Sequence, residues 1–114
     1  MLKIEAIIHP FKLDDVKATL YSLGVERVTT AEILEHTGSG ANRAVYRGTE
    51  YQIPLRRVKL EMFVSTIRID EVIEALSRAA RTHGPGGDDG TIFVYEVADA
   101  VQIRSGARLQ FAIS

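Results

Sequence analysis

The chain has 114 residues, of which 46% are hydrophobic and 25% charged, with a formal net charge of -1 and no cysteine. That length supports one hydrophobic core rather than two, so residues 1–114 read as a single domain of ordinary globular composition. The missing cysteines exclude disulfides, thiolate metal centres and cysteine nucleophiles, and the lack of a basic excess argues against nucleic acid as a partner.

"MLKIEAIIHPF" is broken by Glu5 and suits neither a signal peptide nor a membrane span, which makes the cytoplasm the expected location. Within it Leu2, Ile4, Ala6 and Ile8 alternate with Lys3, Glu5, Ile7 and His9, predicting a strand with one apolar face. Pro10 ends that strand. From Leu13 the apolar residues Val16, Leu20 and Leu23 fall on one helical stripe, with Asp14 and Asp15 at the start and Gly24 as a left-handed stop. Val28 to Leu34 is rich in β-branched residues and predicts a second strand. "RVKLEMFVS" alternates again and predicts a third. Asp70 is the expected cap of a second helix carrying Val72, Ile73, Leu76 and Ala80 on one face. "TIFVYEVA" is the fourth strand, and "AVQIRS" is expected to extend the sheet.

The order β-α-β-β-α-β is that of an α+β, ferredoxin-like sandwich. Two helices cover one face of a four-stranded sheet. Ile7, Phe63, Phe93, Tyr95 and Val97 fall on the other face, and self-association is the simplest way to hide them.

Two connections stand out. Residues 35–57 form a 23-residue link holding Tyr46, Tyr51, Ile53 and Leu55 together with Arg43, Arg47, Arg56 and Arg57, too many bulky groups for a spacer. Such a segment can order itself on a partner. The second, "THGPGGDDGT" at 82–91, is rich in glycine, which lets backbone N–H groups converge on an anion, although it lacks the GK[ST] ending of a P-loop.

"AIIHPFKLDDVKATLYSLGV", "YRGTEY", "RRVKLE", "DGTIFV" and "IRSG", in that order from Met1 to Gly106, together resemble the PII signal-transduction proteins. The resemblance implies a homotrimer whose inter-subunit clefts bind an adenine nucleotide (ATP, ADP or AMP), and a long regulatory loop that acts on a target protein such as a transporter, an enzyme or a carboxysome-related protein. It places Ile7, Thr29, Glu61 and Phe63 at the adenine and ribose. Gly38 and Ser39 of the long loop, together with Gly86, Gly87, Asp88, Asp89, Gly90 and Thr91 of the glycine loop, fall in the nucleotide site, and Arg57 and Arg104 lie near the phosphates. Arg43, Tyr46, Arg47 and Tyr51 fall in the target-binding loop, with Tyr51 matching a tyrosine that some members have uridylylated. The C-terminal segment 104–114, with Leu109, Phe111 and Ile113 alternating, is expected to pack near the cleft.

The sequence departs from the family where ligands bind. Ser39 stands for a glutamine that helps hold magnesium and 2-oxoglutarate, Thr91 for a lysine, and Gln102 for the first of two arginines. Arg57 replaces a lysine, and Asp88 and Asp89 add negative charge beside the phosphates. Two lost charge-assisted hydrogen bonds, each worth roughly 1.5–3 kcal/mol, weigh against a triphosphate more than against ADP or AMP. These departures suggest a divergent regulator whose small-anion effector is bicarbonate, in inorganic-carbon metabolism. The alternative is a nitrogen regulator sensing ATP, ADP and 2-oxoglutarate and acting on nitrogen-metabolism enzymes or an ammonium channel. An enzyme is not expected: His9, His36 and His83 lie far apart in sequence and read as surface or loop residues, and neither Ser39 nor Ser65 sits in a nucleophile motif.

Overall fold

The computed structural model describes residues 1–36, 43–82 and 87–109, with the backbone alone at 43, 44, 51 and 52. Strand β1 (Leu2–Ile8) buries Ile4, Ala6 and Ile8, as its period of two requires. A 3-10 turn at Pro10–Lys12 leads into α1 (Leu13–Ser22), which buries Val16 and Leu20. Gly24 adopts φ +84 beyond the helix end, where its N–H meets the carbonyl of Tyr21. The chain continues through β2 (Thr29–Glu35), β3 (Arg43–Tyr46), β4 (Thr49–Gln52), β5 (Leu55–Val64), α2 (Ile69–Ala80) and β6 (Gly90–Glu96).

The main sheet runs β2-β5-β1-β6, antiparallel throughout. With the β3-β4 hairpin set aside, this is the expected ferredoxin-like arrangement. Both helices pack on one face, where Val58, Leu60, Met62 and Val64 of β5 meet Val16, Leu20, Val72 and Leu76. Leu76 and Val72 are wholly buried because α2 gathers its apolar residues into one stripe.

The opposite face carries Ile7, Phe63, Phe93 and Tyr95, as their register against β1 demands. It is not simply apolar. Lys3 and Lys59 reach Glu61 at 3.6 and 3.5 Å, and the Lys3 ammonium lies 5.6 Å from the Tyr95 ring centroid. Phe63, Phe93 and Tyr95 remain 43–46% exposed.

Three expectations need correction. The segment outside the sheet is shorter than 35–57: Glu35 still pairs with Leu55, and Arg56 and Arg57 belong to β5. Part of it is itself a hairpin, in which Arg43 faces Gln52 and Tyr46 faces Thr49 across Arg47-Gly48. Both turn residues have positive φ, +53 and +78, the pattern of a two-residue type I′ turn. Asp70 does not cap α2; Arg68 occupies that position without a side-chain capping bond, its guanidinium instead donating to the carbonyl of Leu23, and Asp70 and Glu71 lie in the first turn, where their charge favours the helix dipole. "AVQIRS" does not extend the sheet: the pairing of β6 with β1 ends at Leu2 and Glu96, with one further bond from the N–H of Val97 to the carbonyl of Met1. Residues 101–108 instead fold back on themselves, with a bridge between Val101 and Arg108 and an ion pair between Asp99 and Arg108.

Two substitutions test this backbone. A Cβ at Gly90 would lie 1.9 Å from the carbonyl oxygen of Ile7, at φ +116, so Gly90→Ala should cost roughly 3 kcal/mol in chemical denaturation. Arg47→Asn should slow hydrogen exchange of the hairpin amides severalfold, because asparagine tolerates the left-handed conformation better by about 0.5–1 kcal/mol.

Candidate functional site

The open face of β5 carries Arg57, Lys59 and Glu61 towards one end of the sheet, where the glycine loop returns to start β6. Arg57 was expected to lie near a ligand; here it is only 4% exposed and its partners come from the protein itself. Nη1 and Nη2 donate to the backbone carbonyl of Asp88 at 3.3 and 3.2 Å. Nη1 also lies 2.8 Å from Nδ1 and 3.1 Å from Nε2 of His9, so one ring nitrogen can accept from it. Nε is buried without a hydrogen-bond acceptor and faces a carboxylate oxygen of Glu35 at 3.6 Å. These long contacts engage the guanidinium incompletely, although burial removes it from water.

Arg57 thus joins the end of β2, the residue after β1 and the glycine loop. His9 is the participant that sequence reasoning missed, having been read as a surface or loop histidine. Its ring is held in place by stacking on Phe11 at 5.3 Å. The available signal was its place in the alternation of β1, which aims it at the same face as Ile7.

The glycine loop has its own internal order. Asp88 Oδ1 accepts the N–H of Gly90 at 2.9 Å, while Oδ2 lies 3.8 Å from Arg57 Nη2. The hydroxyl of Thr82 donates to Asp89 Oδ1 at 2.5 Å. Gly87 is open, with nothing near the position of a Cβ, whereas Gly90 touches the β1 backbone. Glycine at 90 is therefore required by strand packing, independently of any ligand.

Ile7, Asp89, Gly90 and Thr91 meet Ser77 and Arg81 of the α2 end around a cleft of about 200 Å³. A second groove of about 340 Å³ runs past Pro10, Glu32, Ile33, Arg56 and Arg57. Thr29 is exposed and stands opposite Glu61 on the open face; Phe63 lies one pleat further, opposite Lys3. Arg104 is exposed in the 103–105 turn and takes no part in the sheet. In the hairpin, Tyr46 is exposed and the Arg47 guanidinium lies 5.3 Å from its ring centroid. Gly38, Ser39, Gly86, the side chains of Arg43 and Tyr51, and the C-terminal residues beyond Leu109 lie outside the described residues. Among the described residues no cluster of His, Asp and Glu could hold a metal ion.

The hydrogen bond from the Thr82 hydroxyl lowers the Asp89 carboxyl below its ordinary value of 3.8, helped by the Thr82 backbone and the charges of His9 and Arg81 and opposed by partial burial. A lowered folded pKa contributes stability that is full above the ordinary value and is lost as pH falls through the folded one. Thr82→Val should therefore move the Asp89 titration upward, as read by carboxyl-carbon NMR, and narrow the acid range over which the loop keeps its order.

The sequence pattern of the family described as "Nitrogen regulatory protein P-II" matches residues 1–107. The chain is 41% identical over 109 residues to the nitrogen regulatory protein P-II of Rhodospirillum rubrum, covering 95% of this chain and 96% of the relative. It is 41% identical over 114 residues to that of Pasteurella multocida, covering 99% and 100%. The protein of Haemophilus influenzae is 42% identical over the same length and coverage. With the family pattern matched over residues 1–107 and relatives 41–42% identical over nearly the whole chain, the chain belongs to the nitrogen regulatory protein P-II family.

Proposed function

We propose that this PII-family regulator binds an adenine nucleotide in clefts of a homotrimer and transmits the bound state to a protein target through the 36–54 segment, in nitrogen regulation. The observation that carries the reading is the buried Arg57. One guanidinium, rooted in β5, contacts both the glycine loop that would face phosphates and Glu35, the last β2 residue before the long segment. A phosphate competing for that guanidinium would disturb both loops at once. The half-exposed Phe63, Phe93 and Tyr95 supply an apolar face of the kind a subunit interface covers.

The relatives' names favour nitrogen regulation over the inorganic-carbon reading drawn from the departures at Ser39, Thr91 and Gln102. Relatives about 40% identical over nearly the whole chain outweigh three substitutions. Magnesium and 2-oxoglutarate accordingly stand before bicarbonate as co-effectors. The departures then adjust ligand preference within the site. No helix among the described residues is long and apolar enough to cross a membrane, and an action on a membrane target would run through the exposed hairpin.

Titration calorimetry with ATP, ADP and AMP, each with and without magnesium and 2-oxoglutarate and, separately, bicarbonate, tests this. Binding of one nucleotide per subunit that 2-oxoglutarate strengthens is the expected result. A response to bicarbonate alone would restore the inorganic-carbon reading, and no nucleotide binding would overturn both.

A further inference from the structure

The glycine loop already contains an anion. The Asp88 carboxylate takes the Gly90 N–H with one oxygen and lies 3.8 Å from the Arg57 guanidinium with the other. A backbone donor and a buried cation are the pair of groups that a phosphate oxygen would seek. Resting on the nucleotide reading, we propose that Asp88 is a built-in competitor for the phosphate position, a specificity-determining residue that a bound nucleotide must displace and that lowers affinity most for the most highly charged nucleotides.

Asp88 is suited to leave. Its side chain is 74% exposed, so rotation into water restores its hydration and costs only the two contacts just described. Asp89, one residue on, is not equivalent. It is half-buried and held by the Thr82 hydroxyl, so the two neighbouring carboxylates divide into a fixed one and a displaceable one. The Asp88 backbone carbonyl, by contrast, stays on Arg57 through two donors and keeps the loop anchored while the side chain moves. Neutralising Asp88 also frees Arg57 from one of its two carboxylate neighbours among the described residues, the other being Glu35. A substitution inside the proposed site is then expected to improve binding, which a carboxylate that merely shapes the loop would not do.

The experiment is titration calorimetry of the full chain and of its Asp88→Asn variant with AMP, ADP, ATP and pyrophosphate, at low and at high salt. Asparagine keeps an oxygen for the Gly90 N–H and removes only the charge. ADP and ATP should bind about tenfold more tightly to the variant, with a smaller gain for AMP and a gain that shrinks as salt screens the repulsion. Affinities for ADP and ATP that fall, or stay within twofold, would overturn the proposal. Should Asp88→Asn fold poorly, Asp88→Ser carries the same comparison. The pyrophosphate arm separates the two claims: tighter pyrophosphate binding by the variant, with no nucleotide bound by either form, would uphold the competitor and sink the nucleotide reading. If neither form binds any of the four probes, both fall.

Discussion

A guanidinium withdrawn from water needs partners, and those of Arg57, which leave Nε without an acceptor, are groups that no short stretch of chain could supply together. Glu35 closes the end of β2, His9 follows β1, and Asp88 belongs to the loop before β6. Breaking such a cluster by removing one partner leaves a buried charge uncompensated, which typically costs about 3–5 kcal/mol. The end of β2, His9 and the Asp88 backbone therefore hold their arrangement as a unit. The core beneath is ordinary by comparison, a single layer of Ile, Leu, Val and Met between the sheet and two helices.

Much of the fold was legible because its elements obey simple periods. β1, β5 and α2 bury the residues their alternation or stripe selects, and Gly24 ends α1 as a left-handed residue. The four strands of the main sheet and their order followed, whereas the β3-β4 hairpin did not. Where the reading failed, the deciding term was not local. Arg47-Gly48 is an uncommon pair for a two-residue turn, since the first position usually takes Asn or Gly, and the hairpin was read as loop. "AVQIRS" alternates well enough to be a strand, but Val101 pairs with Arg108 of the segment that folds back on it and not with the sheet.

The site was legible in its parts and not in its wiring. The family resemblance singled out Arg57, Asp88, Asp89 and Gly90, beside a loop whose glycine content already stood out, but sequence could not indicate that Arg57 is buried or that the Asp88 side chain occupies a donor of its own loop. Nor could it separate the two reasons for a glycine. Gly90 is demanded by the Ile7 carbonyl and Gly87 by nothing in contact with it. The role of His9 depends on Arg57, 48 positions away in the chain, and a lone histidine offers no sign of that.

The β3-β4 hairpin pairs only with itself, so the outer backbone edge of each strand is left without a ladder partner in the sheets described. Such an edge can accept an added strand from any chain, irrespective of side chains, and is for the same reason a hazard for fibrous stacking. Each strand here is only four residues long. That gives room for a brief register of backbone contacts, enough to align an added strand and too short to template indefinite growth.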